Sequence, residues 1–168
     1  MSEQSSYSLL ELNQYIRRVI SLNFDEPVWI ECEIGQASLS RGHWYLDLIQ
    51  KEENNIVAQC QAAMWANVYF FLKRKSPIPP EDILKQGVAV KLKVNVDFHE
   101  RYGLKLIIED IDSSFTMGQL EMQRQDQVLM QQQQNQQAQL LQQQQMDMLQ
   151  RQQALLQQQQ MAQMRPMY

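Results

Sequence analysis

Residues 88–99 dictate a strand before anything else in the chain is considered. Val88, Val90, Leu92, Val94, Val96 and Phe98 alternate with Ala89, Lys91, Lys93, Asn95, Asp97 and His99. Successive side chains of a strand point to opposite faces, so this segment has one apolar face and one wet face. A slip of one residue would turn every valine to water, and the register is therefore strongly specified.

The same period recurs upstream. After Pro27, Val28, Ile30, Cys32 and Ile34 fall on one side, with Trp29, Glu31 and Glu33 on the other. Trp29 is expected to pack beneath a helix rather than against a base. A turn at Ser40-Arg41-Gly42 leads into His43–Ile49, where Trp44, Leu46 and Leu48 face the core and His43, Tyr45 and Asp47 oppose them. Asn54-Asn55 is a turn signal, Ile56–Trp65 a third strand, and Ala66–Lys75 a short helix halted by the Pro77–Pro80 cluster. His99–Gly103 turns the chain into a fifth strand that starts at Leu104, Leu106 and Ile108 and ends near Asp112. At the N-terminus, Ser8 followed by Glu11 makes a capping box, and Leu9, Leu12, Ile16, Val19 and Ile20 form an apolar stripe, giving a helix over about 8–21. Five strands with a helix between the third and fourth is the element order of an OB-fold barrel. The fold class is therefore mainly β, with an N-terminal helix ahead of the barrel.

Composition breaks at Gln119. From there about half the residues are Gln, most of the rest are Met and Leu, and glycine is absent. We divide the chain into an N-terminal extension (1–7), an OB-fold domain (8–118) and a Gln/Met-rich low-complexity tail (119–168). Gln, Met and Leu favour helix, so the tail is either a helix or a disordered polar segment. Leu141, Met148 and Leu155 recur at heptad spacing, which admits self-association through a short coiled coil. The acids Glu121, Asp126 and Asp147 cancel the bases Arg124, Arg151 and Arg165, so the body carries the whole formal charge of −4. No run of 18 apolar residues is present to span a bilayer, and the first thirty residues lack the apolar core of a secretory signal. Cys32 and Cys60 make no disulfide framework or metal knuckle, and a reducing cytoplasm is expected.

Several blocks in order resemble one family: the Ser8–Val19 helix, Val28-Trp29-Ile30-Glu31-Cys32-Glu33-Ile34, Gly42-His43-Trp44-Tyr45-Leu46-Asp47-Leu48, and Tyr102-Gly103 with Ile107–Asp112. Over about residues 8–122 the chain resembles the N-terminal OB domain of the large subunit of bacterial exodeoxyribonuclease VII. The resemblance implies a domain that holds single-stranded DNA for a nuclease domain following in the same chain, and an assembly with a small subunit. Cys32 stands where the family has Gly, Gly35-Gln36 where it has Ser-Asn, and Gln59 where a basic residue is common. The glutamine tract replaces the nuclease domain, so hydrolysis is not expected of this chain alone.

An OB fold binds single strands across strands two and three, between the loops that join strands 1–2 and 4–5. The residues available there are Arg41, His43, Tyr45, Arg101 and Tyr102, joined by Lys91, Lys93 and Lys105 on strands four and five. Cations to track phosphates and aromatics to stack bases, at ~1–3 kcal/mol per base, are what such binding requires, with no metal or other cofactor. Phosphate neutralisation starts unfavourably for a body at −4, so weak, salt-sensitive binding is expected. No catalytic set stands out: no nucleophile-elbow glycines surround a Ser, no phosphate-cradling Gly loop is present, and Glu109, Asp110 and Asp112 read as a strand end. The alternatives are a truncated subunit contributing to single-strand hydrolysis, and a protein-interaction scaffold oligomerised by the tail.

Overall fold

The computed structural model describes residues 6–164. The start of the N-terminal extension and the tail from Arg165 lie outside the described residues. Helix α1 (Leu9–Asn23) begins at the Ser8 capping box. The Glu11 amide donates to Ser8 Oγ at 3.2 Å, and the Ser8 amide donates to Glu11 Oε2 at 2.8 Å. These two bonds satisfy donors that the first helical turn would otherwise leave open. Five strands follow: β1 (Val28–Ser40), β2 (His43–Glu52), β3 (Asn55–Met64), β4 (Ala89–His99) and β5 (Gly103–Ile111). They close in the order β1-β2-β3-β5-β4, and β4 returns to β1. The closing contact is a short parallel pairing of β3 with β5, Ala62 opposite Leu106 and Ala63 opposite Ile107. All other pairings are antiparallel.

Turn chemistry sets the first two hairpins. Arg41 and Gly42 both have positive φ (53° and 82°), and Ser40 pairs directly with His43. Glu53 and Asn54 repeat the arrangement (48° and 68°) between Glu52 and Asn55. Two consecutive left-handed residues match the right-handed twist of the strands they join. Gly42 has a second constraint, since a Cβ there would lie 3.2 Å from the Ala66 Cβ.

Between β3 and β4 the chain forms α2 (Ala66–Lys75) and a four-residue turn of helix, α3 (Pro80–Ile83). The proline cluster does more than stop α2, because Pro80 opens α3. Tyr69 and Leu72 of α2, Ile83 of α3 and Leu84 just after it join the buried cluster with Trp44, Leu46 and Met64, plugging that part of the barrel. The alternating residues Val90, Leu92 and Val94 are completely buried, as are Ile34 and Ile108. Each such side chain contributes ~1.5–3 kcal/mol of burial. Trp29, opposite Lys93 of β4 on the outer face of the sheet, keeps 47% of its surface exposed.

The C-terminal segment is helical: α4 runs Ser113–Gln163. Asp112 caps it, its Oδ1 accepting from the Ser114 amide (3.1 Å), the Ser114 hydroxyl (2.5 Å) and the Phe115 amide (3.2 Å). Thr116 is fully buried and directs Oγ1 toward the Ala89 carbonyl at 3.4 Å. The chain divides into two compact units, one up to Leu120 and one from Glu121. In the second unit every described residue is exposed, and good helix formers alone account for its conformation. Among the described residues no helix is long and apolar enough to cross a membrane.

Candidate nucleic-acid interface

A bulge decides what the barrel presents outward. The register of β1 against β2 shifts between Ile34 and Gln36. Before it, Ile34 faces the core opposite Leu48; after it, Ala37 and Leu39 take the inward positions opposite Leu46 and Trp44. Gln36 and Ser38 thereby turn outward, opposite Asp47 and Tyr45. Gly35 sits at the bulge because a Cβ there would lie 3.1 Å from Ile49 Cγ2 and 3.2 Å from the Asp47 carbonyl oxygen.

The pairings then order the outer surface in rows. One row runs Gln36, Asp47, Gln61 across β1, β2 and β3. The next runs Ser38, Tyr45, Ala63, and continues to Ile107 on β5. Lys105, two residues before Ile107, extends Nζ to 6.0 Å from the centroid of the Tyr45 ring. Gln36, Ser38, Tyr45, Asp47, Gln61 and Lys105 line an open groove of about 590 Å³, and Lys85 and Gln86 from the segment after α3 border it. The volume lies in the range of binding clefts. Tyr45 keeps 40% of its surface exposed, so its ring is available. Trp65, 38% exposed, meets Tyr45 edge-on at 6.4 Å and His43 edge-on at 5.4 Å, which makes a half-open aromatic apron beside the groove.

Tyr45 and Lys105 thus come together from strands two and five. His43 borders them, but its Nδ1 accepts the Ala66 amide at 3.1 Å, so this nitrogen is occupied as a cap for α2. Arg41 occupies the tip of the β1–β2 hairpin. Arg101 and Tyr102 form the tip of the β4–β5 hairpin, with the guanidinium carbon 5.6 Å from the Tyr102 ring centroid and the His99 ring tilted against it at 4.8 Å between centroids. That tip is tied to α1: Asn13 Nδ2 donates to the Glu100 carbonyl at 2.7 Å, and Arg17 pairs with the Glu100 carboxylate at 2.9 Å. Lys91 and Lys93 stand elsewhere, on the half of β4 paired with the start of β1, opposite Glu31 and Trp29. Lys91 Nζ lies 3.7 Å from Glu31 Oε1.

Sequence reasoning passed over Gln36, Ser38, Asp47, Gln61, Trp65, Lys85 and Gln86. Asp47 and Trp65 were signalled by parity, as outward residues in line with Tyr45. Gln61 shares the parity of Trp65 along the third strand, whereas Gln36 and Ser38 needed the bulge and Lys85 and Gln86 the α3 turn. Cys32 and Cys60 are partly buried, and burial pushes both thiols up, Cys32 to about 11, so neither is a ready nucleophile. Among the described residues no group of three His, Cys, Asp or Glu side chains could hold a metal ion.

Residues 7–112 match the model of a family described as the OB-fold nucleic acid binding domain. The chain belongs to this OB-fold family. Within it, the chain is 35% identical over 131 residues to the exodeoxyribonuclease 7 large subunit of Deinococcus radiodurans, covering 71% of this chain and 31% of that protein. It is 34% identical over 126 residues to the Hahella chejuensis protein of the same name, covering 74% of this chain and 24% of the relative. The chain therefore spans a third or less of the length of these curated relatives. Among solved structures, the OB barrel is similar to the mitochondrial single-stranded DNA binding protein of S. cerevisiae, with TM-score 0.37, 10% identity, and coverage of 52% of this chain and 92% of that one. It is also similar to asparaginyl-tRNA synthetase of Pyrococcus horikoshii, with TM-score 0.36, 18% identity, and coverage of 52% and 19%. The five-stranded closed barrel is a nucleic-acid-binding OB fold.

Proposed function

We propose that this OB domain binds single-stranded DNA along the groove that crosses β1, β2, β3 and β5. The observation that carries the reading is the half-exposed Tyr45 ring with the Lys105 ammonium 6.0 Å above it. A base stacks on such a ring while the adjacent cation meets its phosphate, and neither contact depends on sequence. Lys85 on the rim adds a second cation, although it is shared with Asp82 at 3.0 Å. Arg41, Arg101 and Tyr102 at the hairpin tips extend the path beyond the groove. Two groove cations, one of them already paired with Asp82, in a domain of formal charge −4 give weak binding that falls steeply with salt. Titration of the full chain with labelled oligo-dT at low and physiological salt tests this, and an affinity indifferent to salt refutes the phosphate contact.

The identity to exodeoxyribonuclease 7 large subunits supports a second, wider proposal: the domain presents single strands within a hydrolytic assembly that includes a small subunit, in the cytoplasm of a bacterium. The exposed leucines of α4, Leu141 and Leu155 among them, favour self-association of the tail. Sedimentation of the chain with and without residues 121–168 measures it, and an unchanged mass per particle eliminates the tail as an oligomerising element.

A further inference from the structure

The row beside Tyr45 is chemically unlike a general single-strand groove. Its centre is Asp47, an acceptor-only carboxylate that is half-buried on the groove floor. Gln36 and Gln61 flank it in register on the neighbouring strands. Among the described residues Asp47 makes no ion pair and its side chain accepts no hydrogen bond, and the two glutamine side chains are likewise unengaged. A phosphate cannot settle over that carboxylate, so a strand whose phosphates meet Lys105 and Lys85 must turn its bases toward this row.

Bases differ in what they offer a carboxylate. In a single strand the Watson–Crick edge is free to be read. Guanine presents two adjacent donors there, N1–H and the N2 amino group, which match the two carboxylate oxygens. Thymine presents one donor between two carbonyl oxygens that a carboxylate repels. Cytosine and adenine each place a ring acceptor next to their amino donor. We infer that Asp47, supported by Gln36 and Gln61, makes the groove select guanine at the position next to the base stacked on Tyr45.

This rests on the single-strand reading above and adds a base preference to it. Fluorescence anisotropy of the full chain is measured with labelled dT12 and with dT12 carrying one central dG, dA or deoxyinosine. The dG oligomer binds about tenfold tighter than dT12, the dA oligomer does not, and deoxyinosine, which keeps N1–H but lacks the N2 amino group, recovers only part of the gain. In Asp47→Asn the dG preference disappears while dT12 still binds, with the melting temperature unchanged as the control for folding. Equal affinity for dG and dT oligomers, an inosine oligomer equal to the dG oligomer, or a preference that survives Asp47→Asn each overturn the guanine contact and leave single-strand binding standing. Failure of every oligomer to bind the native chain overturns the single-strand reading and this inference together.

Discussion

Lys105 and Tyr45 meet at 6.0 Å although their strands, β5 and β2, do not touch: β3 lies between them, Ala63 pairs with both Tyr45 and Ile107, and Lys105, two residues before Ile107, reaches diagonally across the sheet. The approach is that of a cation over a ring face.

Tyr45→Ala removes the stacking surface and is expected to weaken oligo-dT binding by about 5- to 150-fold, the equivalent of ~1–3 kcal/mol per base. Lys105→Gln is expected to weaken binding less and to reduce the slope of log affinity against log salt by about 0.7, one released counterion on a single strand. Anisotropy titrations over a salt series separate the two effects. A steeper slope in Lys105→Gln would contradict a phosphate role.

Gly35→Ala brings a Cβ to 3.1 Å from Ile49 Cγ2 and 3.2 Å from a backbone oxygen. Overpacking of this kind is expected to cost ~1–3 kcal/mol in urea unfolding. Because the bulge aims Gln36 and Ser38 at the groove, oligonucleotide affinity should fall as well, even at temperatures where the variant is folded. Native-like affinity in a destabilised variant would show that these two side chains touch no DNA.

Glu81 accepts hydrogen bonds from Lys73 Nζ at 2.6 Å and from the Tyr69 hydroxyl. Lys73 is the larger cause that holds its carboxyl at about 2 instead of the usual 4.5. A carboxyl depressed on folding stabilises the native state above pH 4.5 and loses that contribution as the pH falls toward 2. Solvent reaches a third of the Glu81 side chain and half of Lys73, leaving about 1 kcal/mol after screening. Glu81→Gln should therefore be less stable than the native chain at pH 7 and should lose less stability between pH 5 and 2, as read by thermal melts across that range. Parallel pH profiles for the two proteins would reject the contribution.

Asp112→Ala takes away the oxygen that caps α4, whose hydrogen bond from Ser114 holds the carboxyl below its usual range. Melting should move down by roughly 2–5 °C while oligonucleotide affinity stays unchanged. A loss of binding at equal stability would assign Asp112 to the interface instead of the helix end.

The barrel itself was legible because period-two patterns in 28–34, 43–49 and 88–99 leave each strand only one face to bury. Ser8 with Glu11, and Arg41-Gly42, likewise announced a helix start and a tight turn through local backbone chemistry alone. Tyr45 and Lys105 could be named as outward residues by the same parity. What parity cannot supply is which outward residues become neighbours. That depended on the bulge at Gly35, which reversed the facing of Gln36 and Ser38, and on the parallel closure of β3 with β5, which carried Lys105 to Tyr45 and left Lys91 and Lys93 beside Glu31 and Trp29. The α3 turn that brings Lys85 and Gln86 to the rim is only four residues long and carries no periodic signal. Side-chain direction along a strand is a local property of the chain, whereas register between strands is fixed by how the whole core fills and closes, and so the groove existed only once the barrel had formed.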